Sequence, residues 1–123
     1  MNSVNFDAWP PIAATNYFND PPPPGYSDVM PSLGLQYLGA GSANVSFDLV
    51  VNLSAVGNAG IAYVPFDLQH DCGVLPEPNE LDYTSVFSGA TFNLNLCFQV
   101  PTSDAASLEL HYGNSDVGWF ALH

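Results

Sequence analysis

The chain has 123 residues, with twelve Asp and Glu, three His and no Lys or Arg, for a formal net charge of -12 at pH 7. That length suits one domain with one core, placed here at residues 1–123. The charge excludes nucleic acid and anionic membranes as partners, since no basic side chain neutralises a phosphate, and it leaves no lysine Schiff base and no arginine clamp.

The opening segment, residues 1–27, holds six of the eleven prolines. It lacks the basic and continuous apolar regions of a signal peptide, so it reads as the start of a mature domain. Residues 4–9 read as a short strand. Pro10-Pro11 and Pro21-Pro22-Pro23-Pro24-Gly25 argue against helix interior or central strand and predict an ordered, stiff loop with polyproline conformation.

From Val29 onward the apolar residues recur with period two, the mark of half-buried strands. Residues 44–53 place Val45, Phe47, Leu49, Val51 and Leu53 on one face. Residues 61–68 alternate less cleanly, and Pro65 marks an edge or a bulge. Residues 91–100 place Phe92, Leu94, Leu96, Phe98 and Val100 opposite Asn93, Asn95 and Gln99. Residues 107–112 turn Leu108, Leu110 and Tyr112 inward with Glu109 and His111 outward, and 117–122 form a closing strand. Turn signals every 8–14 residues or so predict an antiparallel β-sandwich of about seven strands. No segment shows sustained helical periodicity, and residues 104–107 predict a single turn. The expected core is Val45, Phe47, Leu49, Val51, Val64, Phe66, Phe92, Leu94, Leu96, Phe98, Leu108, Leu110, Trp119 and Phe120.

Cys72 and Cys97 admit a disulfide of an oxidising compartment or two buried free thiols. Cys97 falls on the polar side of its strand and Cys72 in a loop. A bridge between them would pin that loop across the outer face of a sheet.

Nucleophilic catalysis needs a base beside Ser, Cys or Thr. The bases are His70, His111 and His123, and no Gly-x-Ser-x-Gly elbow accompanies them. Glu77, Glu80 and Asp82 cluster as glycosidase acids would, but in a loop where acids are ordinarily solvated. The chain therefore reads as no enzyme, with no catalytic residue and no cofactor assigned. His70, Asp71, Glu77, Glu80 and Asp82 are candidates for calcium adsorption, without the spacing of a calcium loop. No structural metal site is assigned. Asn44-Val45-Ser46 and Asn52-Leu53-Ser54 match the glycosylation sequon. The amides Asn44, Asn52, Asn93, Asn95 and Gln99 suit a neutral sugar surface. Strands without lysine gatekeepers invite pairing with another copy through an edge.

Three stretches carry a resemblance: Asn16-Tyr-Phe-Asn-Asp-Pro-Pro-Pro-Pro-Gly25-Tyr, Asp71-Cys72-Gly73-Val74-Leu75-Pro76, and residues 89–101 with Trp119-Phe120-Ala121-Leu122. Together they resemble a secreted actinobacterial immunoglobulin-like domain family of unknown function, sometimes mislabelled telomeric repeat-binding factor. This chain would be a diverged or engineered member without Lys and Arg. Pro31 and Gly34 depart from it by interrupting an expected strand, and Leu94 by standing where the family has Gly. The resemblance implies an immunoglobulin-like fold, a Cys72–Cys97 disulfide and a secreted or cell-envelope location. The functional expectation is a non-catalytic binding or interaction module for protein or glycan at the cell surface. The alternative is a self-assembling structural subunit or scaffold, a homo-oligomer or filament through edge strands.

Overall fold

The apolar alternation at 91–100 finds its complement in Val29, Leu33, Leu35 and Tyr37, and these two stretches form the centre of the molecule. The computed structural model describes residues 3–44, 53–65, 69–79, 82–83, 85–112 and 120–122. Strand β1 is Ser3–Asn5, helix α1 Trp9–Thr15, β2 Tyr26–Tyr37, β3 Ser42–Asn44, β4 Leu53–Val56 and β5 Ala62–Tyr63. There follow β6 Ser85–Phe87, β7 Thr91–Asn95, β8 Phe98–Pro101, a helical turn at Thr102–Ala105, β9 Glu109–Tyr112 and β10 Phe120–Leu122.

Strand β2 pairs antiparallel with β7 and then β8 along one side, and with β1 and β10 along the other. The register is continuous across the break, from Ser32↔Asn95 to Val29↔Phe98. Pro31 explains the break. Its carbonyl accepts from the Leu96 N–H at 3.1 Å, but it has no N–H to return, so the ladder lapses between β7 and β8. The second sheet runs β5-β4-β9, also antiparallel, and β3 pairs with β6 as a separate ribbon. The described residues thus form an all-β, two-layer antiparallel sandwich.

The core lies between the layers. Leu33, Leu35, Tyr37, Phe92, Leu94, Leu96, Phe98 and Val100 of the first sheet pack with Leu53 and Ala55 of the second. Burying each large apolar side chain contributes about 1.5–3 kcal/mol relative to exposure. A smaller cluster sits on the opposite face of β2, where Ala8, Ile12, Met30, Cys72, Leu75 and Cys97 pack with Trp9. Helix α1 and the loop at 69–79 form this lid.

The structure corrects four expectations. Pro10 and Pro11 lie within a helix: they occupy its first turn, where a backbone N–H has no intrahelical acceptor and a fixed φ suits the helix. The first strand is only Ser3–Asn5, because the chain then turns into α1. Pro31 and Gly34 do not interrupt β2, which runs through both as the central strand. Val64 is 39% exposed rather than core, since β5 ends at Tyr63. Leu108 and Leu110 are partly buried against the core. The described residues give ten strand segments against the seven expected, partly because Pro31 splits one strand and partly because β1, β3 and β5 are very short. Val45, Phe47, Leu49, Val51, Phe66 and Trp119 lie outside the described residues, and Phe120 is placed by its backbone in β10.

Candidate functional site

Two features stand out from the packed sandwich. The first is a cavity of about 360 Å³ between the layers, lined by Val4, Val29, Pro31 and Phe98 from one sheet, by Ala55 and Leu110 from the other, and by Leu108 just before β9. Phe6 and Glu109 complete the lining. Its position follows from the pairing. Strand β1 pairs with β2 and β9 with β4, so the cavity lies beside the terminal strands of both sheets. The volume falls within the range of small-molecule sites. Phe6 is half exposed at 49%. Glu109 is the one charged lining residue.

The second feature is polar and lies under the lid. Cys72 and Cys97 are joined by a disulfide with Cα atoms 6.2 Å apart. The bridge ties the loop to the outer face of the first sheet. Asp28, only 1% exposed, shares that face with Cys97. Its carboxylate oxygen and the two sulfurs lie within 4.8 Å of one another. Gln99, directly opposite Asp28 in the ladder, donates Nε2 to Asp28 Oδ1 at 3.1 Å and to the Asp71 carbonyl at 3.4 Å. Asp28 Oδ2 is buried without a partner, as is His70 Nδ1. Burial pushes the Asp28 carboxyl above its ordinary value. The Gln99 hydrogen bond opposes that, and the charges of Asp7 and Asp71 add to it. The His70 ring stacks on Tyr26 with centroids 4.7 Å apart.

Asn19 locks the lid. Its Nδ2 donates to the Ile12 carbonyl at 3.0 Å and the Val74 carbonyl at 2.8 Å, and its Oδ1 accepts from the Val74 N–H at 2.8 Å. A Cβ at Gly73, whose φ is +94°, would run into this side chain. In the helical turn after β8, Asp104 accepts from the Ala59 N–H at 3.0 Å, the Tyr63 hydroxyl at 3.0 Å and Ser107 Oγ at 3.3 Å. These donors hold its carboxyl below the ordinary value against the opposing effect of burial, the Ala59 N–H contributing most. Asp104 anchors a turn.

Among the described residues, the candidate calcium ligands His70, Asp71, Glu77 and Asp82 form no group of three. Asp71 Oδ1 accepts from the Gly73 N–H at 3.0 Å, and Asp82 Oδ2 from the Asn79 N–H at 2.7 Å, so each shapes its own turn. Glu77 is exposed, and Glu80 lies outside the described residues. Among the described residues the one group of three potential metal ligands is Asp28, Cys72 and Cys97. The amide face is partly spent as well. Asn95 Nδ2 donates to the Pro76 carbonyl at 3.1 Å and its Oδ1 accepts from Ser32 Oγ at 2.6 Å, while Gln99 is buried on Asp28. Val45, Ser46 and Asn52 of the two sequons lie outside the described residues. His111 is exposed on β9, and His123 lies outside the described residues. The sequence pattern gave no signal for the cavity or for Asp28, because both depend on which strands become neighbours. No family model, curated protein or solved structure matches the chain.

Proposed function

We propose that the protein is a non-catalytic, exported binding module that takes an apolar group of a partner protein into the cleft between its sheets. The single observation that carries this reading is the 360 Å³ cavity with eight uncharged, apolar lining residues and one acid. A chain of net charge -12 with no Lys or Arg offers no counter-ion to an anionic ligand. The occupant is therefore apolar with a neutral or cationic polar end. The disulfide supports placement in an oxidising compartment, outside the cell or in its envelope. The likeness at 71–76 and 89–101 to the actinobacterial immunoglobulin-like family supports the same placement. The partial use of Asn95 and Gln99 within the fold favours a protein partner over a glycan. The alternative, self-assembly, draws on the position of β1 and β9 at the sheet ends beside the cleft. It predicts that a second copy fills the cavity.

The test uses the uncharged fluorescent probe phenylnaphthylamine, its sulfonated anionic analogue, and light scattering. The reading expects the uncharged probe to brighten on binding and the anionic analogue to bind at least about tenfold more weakly, equivalent to about 1.4 kcal/mol. Val4→Trp, which fills the mouth from a strand edge, abolishes the signal while the fold is retained. A probe that stays dark, or one that Val4→Trp leaves unaffected, would sink the cleft reading. A dimer that dissociates as the probe enters would favour self-assembly.

A further inference from the structure

The polar nest under the lid has no part in the cleft, yet it contains an unpartnered carboxylate oxygen on a residue 1% exposed, beside two sulfurs. We propose that the reduced protein holds a thiophilic divalent cation of the zinc type at Cys72, Cys97 and Asp28, so that the disulfide acts as the closed state of a redox-gated metal site.

The chemistry of the donors argues for it. Two thiolates with one carboxylate favour zinc over calcium or magnesium, which take oxygen ligands. At a zinc–sulfur distance of about 2.3 Å in tetrahedral geometry, the two sulfurs need to part to about 3.8 Å. Cα atoms 6.2 Å apart permit this by side-chain rotation, with the carboxylate already inside the 4.8 Å group. Gln99, by donating to Asp28 Oδ1, orients the carboxyl as outer-shell amides orient metal ligands. Three protein ligands leave a fourth position for water or another donor. His70 is outside the 4.8 Å group and is not assigned to that position.

The redox step balances with a dithiol reductant. The dithiol gives two electrons and two protons to the protein disulfide and becomes a disulfide itself, leaving Cys72 and Cys97 as thiols. The cation then displaces both thiol protons to solvent as two sulfur–metal bonds form. Both half-cystines are only 3% exposed, so reduction requires the loop at 69–79 to lift from the sheet.

The full chain, reduced and kept free of oxygen, is titrated with cobalt(II) as a spectroscopic stand-in and then with zinc. The expected result is thiolate-to-cobalt charge-transfer absorption with one equivalent bound, displacement of cobalt by zinc, and a rise in the melting temperature of the reduced chain with zinc. The oxidised protein shows none of these. Asp28→Asn keeps the size of the side chain and removes the anionic ligand. It should weaken cobalt binding by more than the roughly 10–100-fold that loss of an outer-shell partner costs. No charge-transfer band in the reduced wild type overturns the proposal. So does an Asp28→Asn variant that binds cobalt with unchanged affinity and spectrum. A reduced chain that unfolds and is not refolded by zinc overturns it as well.

Discussion

Gln99 Nε2 donates to one oxygen of the Asp28 carboxyl at 3.1 Å and leaves the other oxygen, buried, with no donor. The carboxyl is thus half satisfied beneath the lid, and burial raises its value in the fold. A raised folded value means that protonation favours folding. The contribution is fully present below the unfolded value near 3.8 and is lost as pH rises through the folded value. Asp28→Asn in the disulfide form should therefore raise the melting temperature at pH 7, with the gain shrinking toward pH 3 or so. Thermal unfolding across that range checks it. A variant less stable than wild type at pH 7 would mean that the ionised carboxylate is wanted there.

Asp104 behaves in the opposite sense. The Ala59 N–H, with the Tyr63 hydroxyl and Ser107, holds its carboxyl below the ordinary value. Its stabilising contribution is present above the unfolded value and is lost as pH falls through the lowered folded one. Asp104→Ala should lower the melting temperature at neutral pH, and the difference from wild type should narrow in acid. A difference that grows in acid would contradict the assignment.

Asn19 makes three hydrogen bonds that join α1 to the loop at 69–79. Asn19→Ala should cost about 1–3 kcal/mol in urea unfolding. It should also speed reduction of the disulfide under native conditions, because the same bonds hold the loop over the sulfurs. An unchanged reduction rate would show that the lid opens without breaking them.

Removing the bridge itself provides a separate measure. The disulfide closes a loop with a sequence separation of 25. Cys72→Ser with Cys97→Ser should cost about 3 kcal/mol on the chain-entropy account. Leu94→Ala, at a residue 1% exposed, should cost about 2–5 kcal/mol. Val64→Ala, at an exposed site, should stay within about 0.5 kcal/mol. Chemical denaturation of the three variants establishes whether the sandwich core or the covalent clamp dominates.

How much of this was legible in the sequence depends on how local each signal is. Phe92, Leu94, Leu96 and Phe98 advertise a buried face within their own strand, and they are buried. Cys97 announces its outward side by sharing parity with Asn95 and Gln99. The α1 helix was hidden because Pro10 and Pro11 normally argue against a helix and are tolerated only in a first turn. With Ile12 its only buried residue, seven residues carry no visible period. Pro31 misled for a related reason: one missing donor interrupts a ladder without ending the strand. Asp28 looks like any strand acid until Gln99, 71 positions away, arrives opposite it. The cleft is less legible still, since Val4 and Leu110 become neighbours only through the stacking of two sheets.

The most direct check on the binding cleft is a chemical-shift map of the isotope-labelled protein as the uncharged probe is added. The account predicts saturable shifts centred on Val29, Ala55, Phe98 and Leu110, with Ile12 and Leu75 under the lid unmoved. Shifts confined to the outer faces, or none at saturating probe, would contradict it.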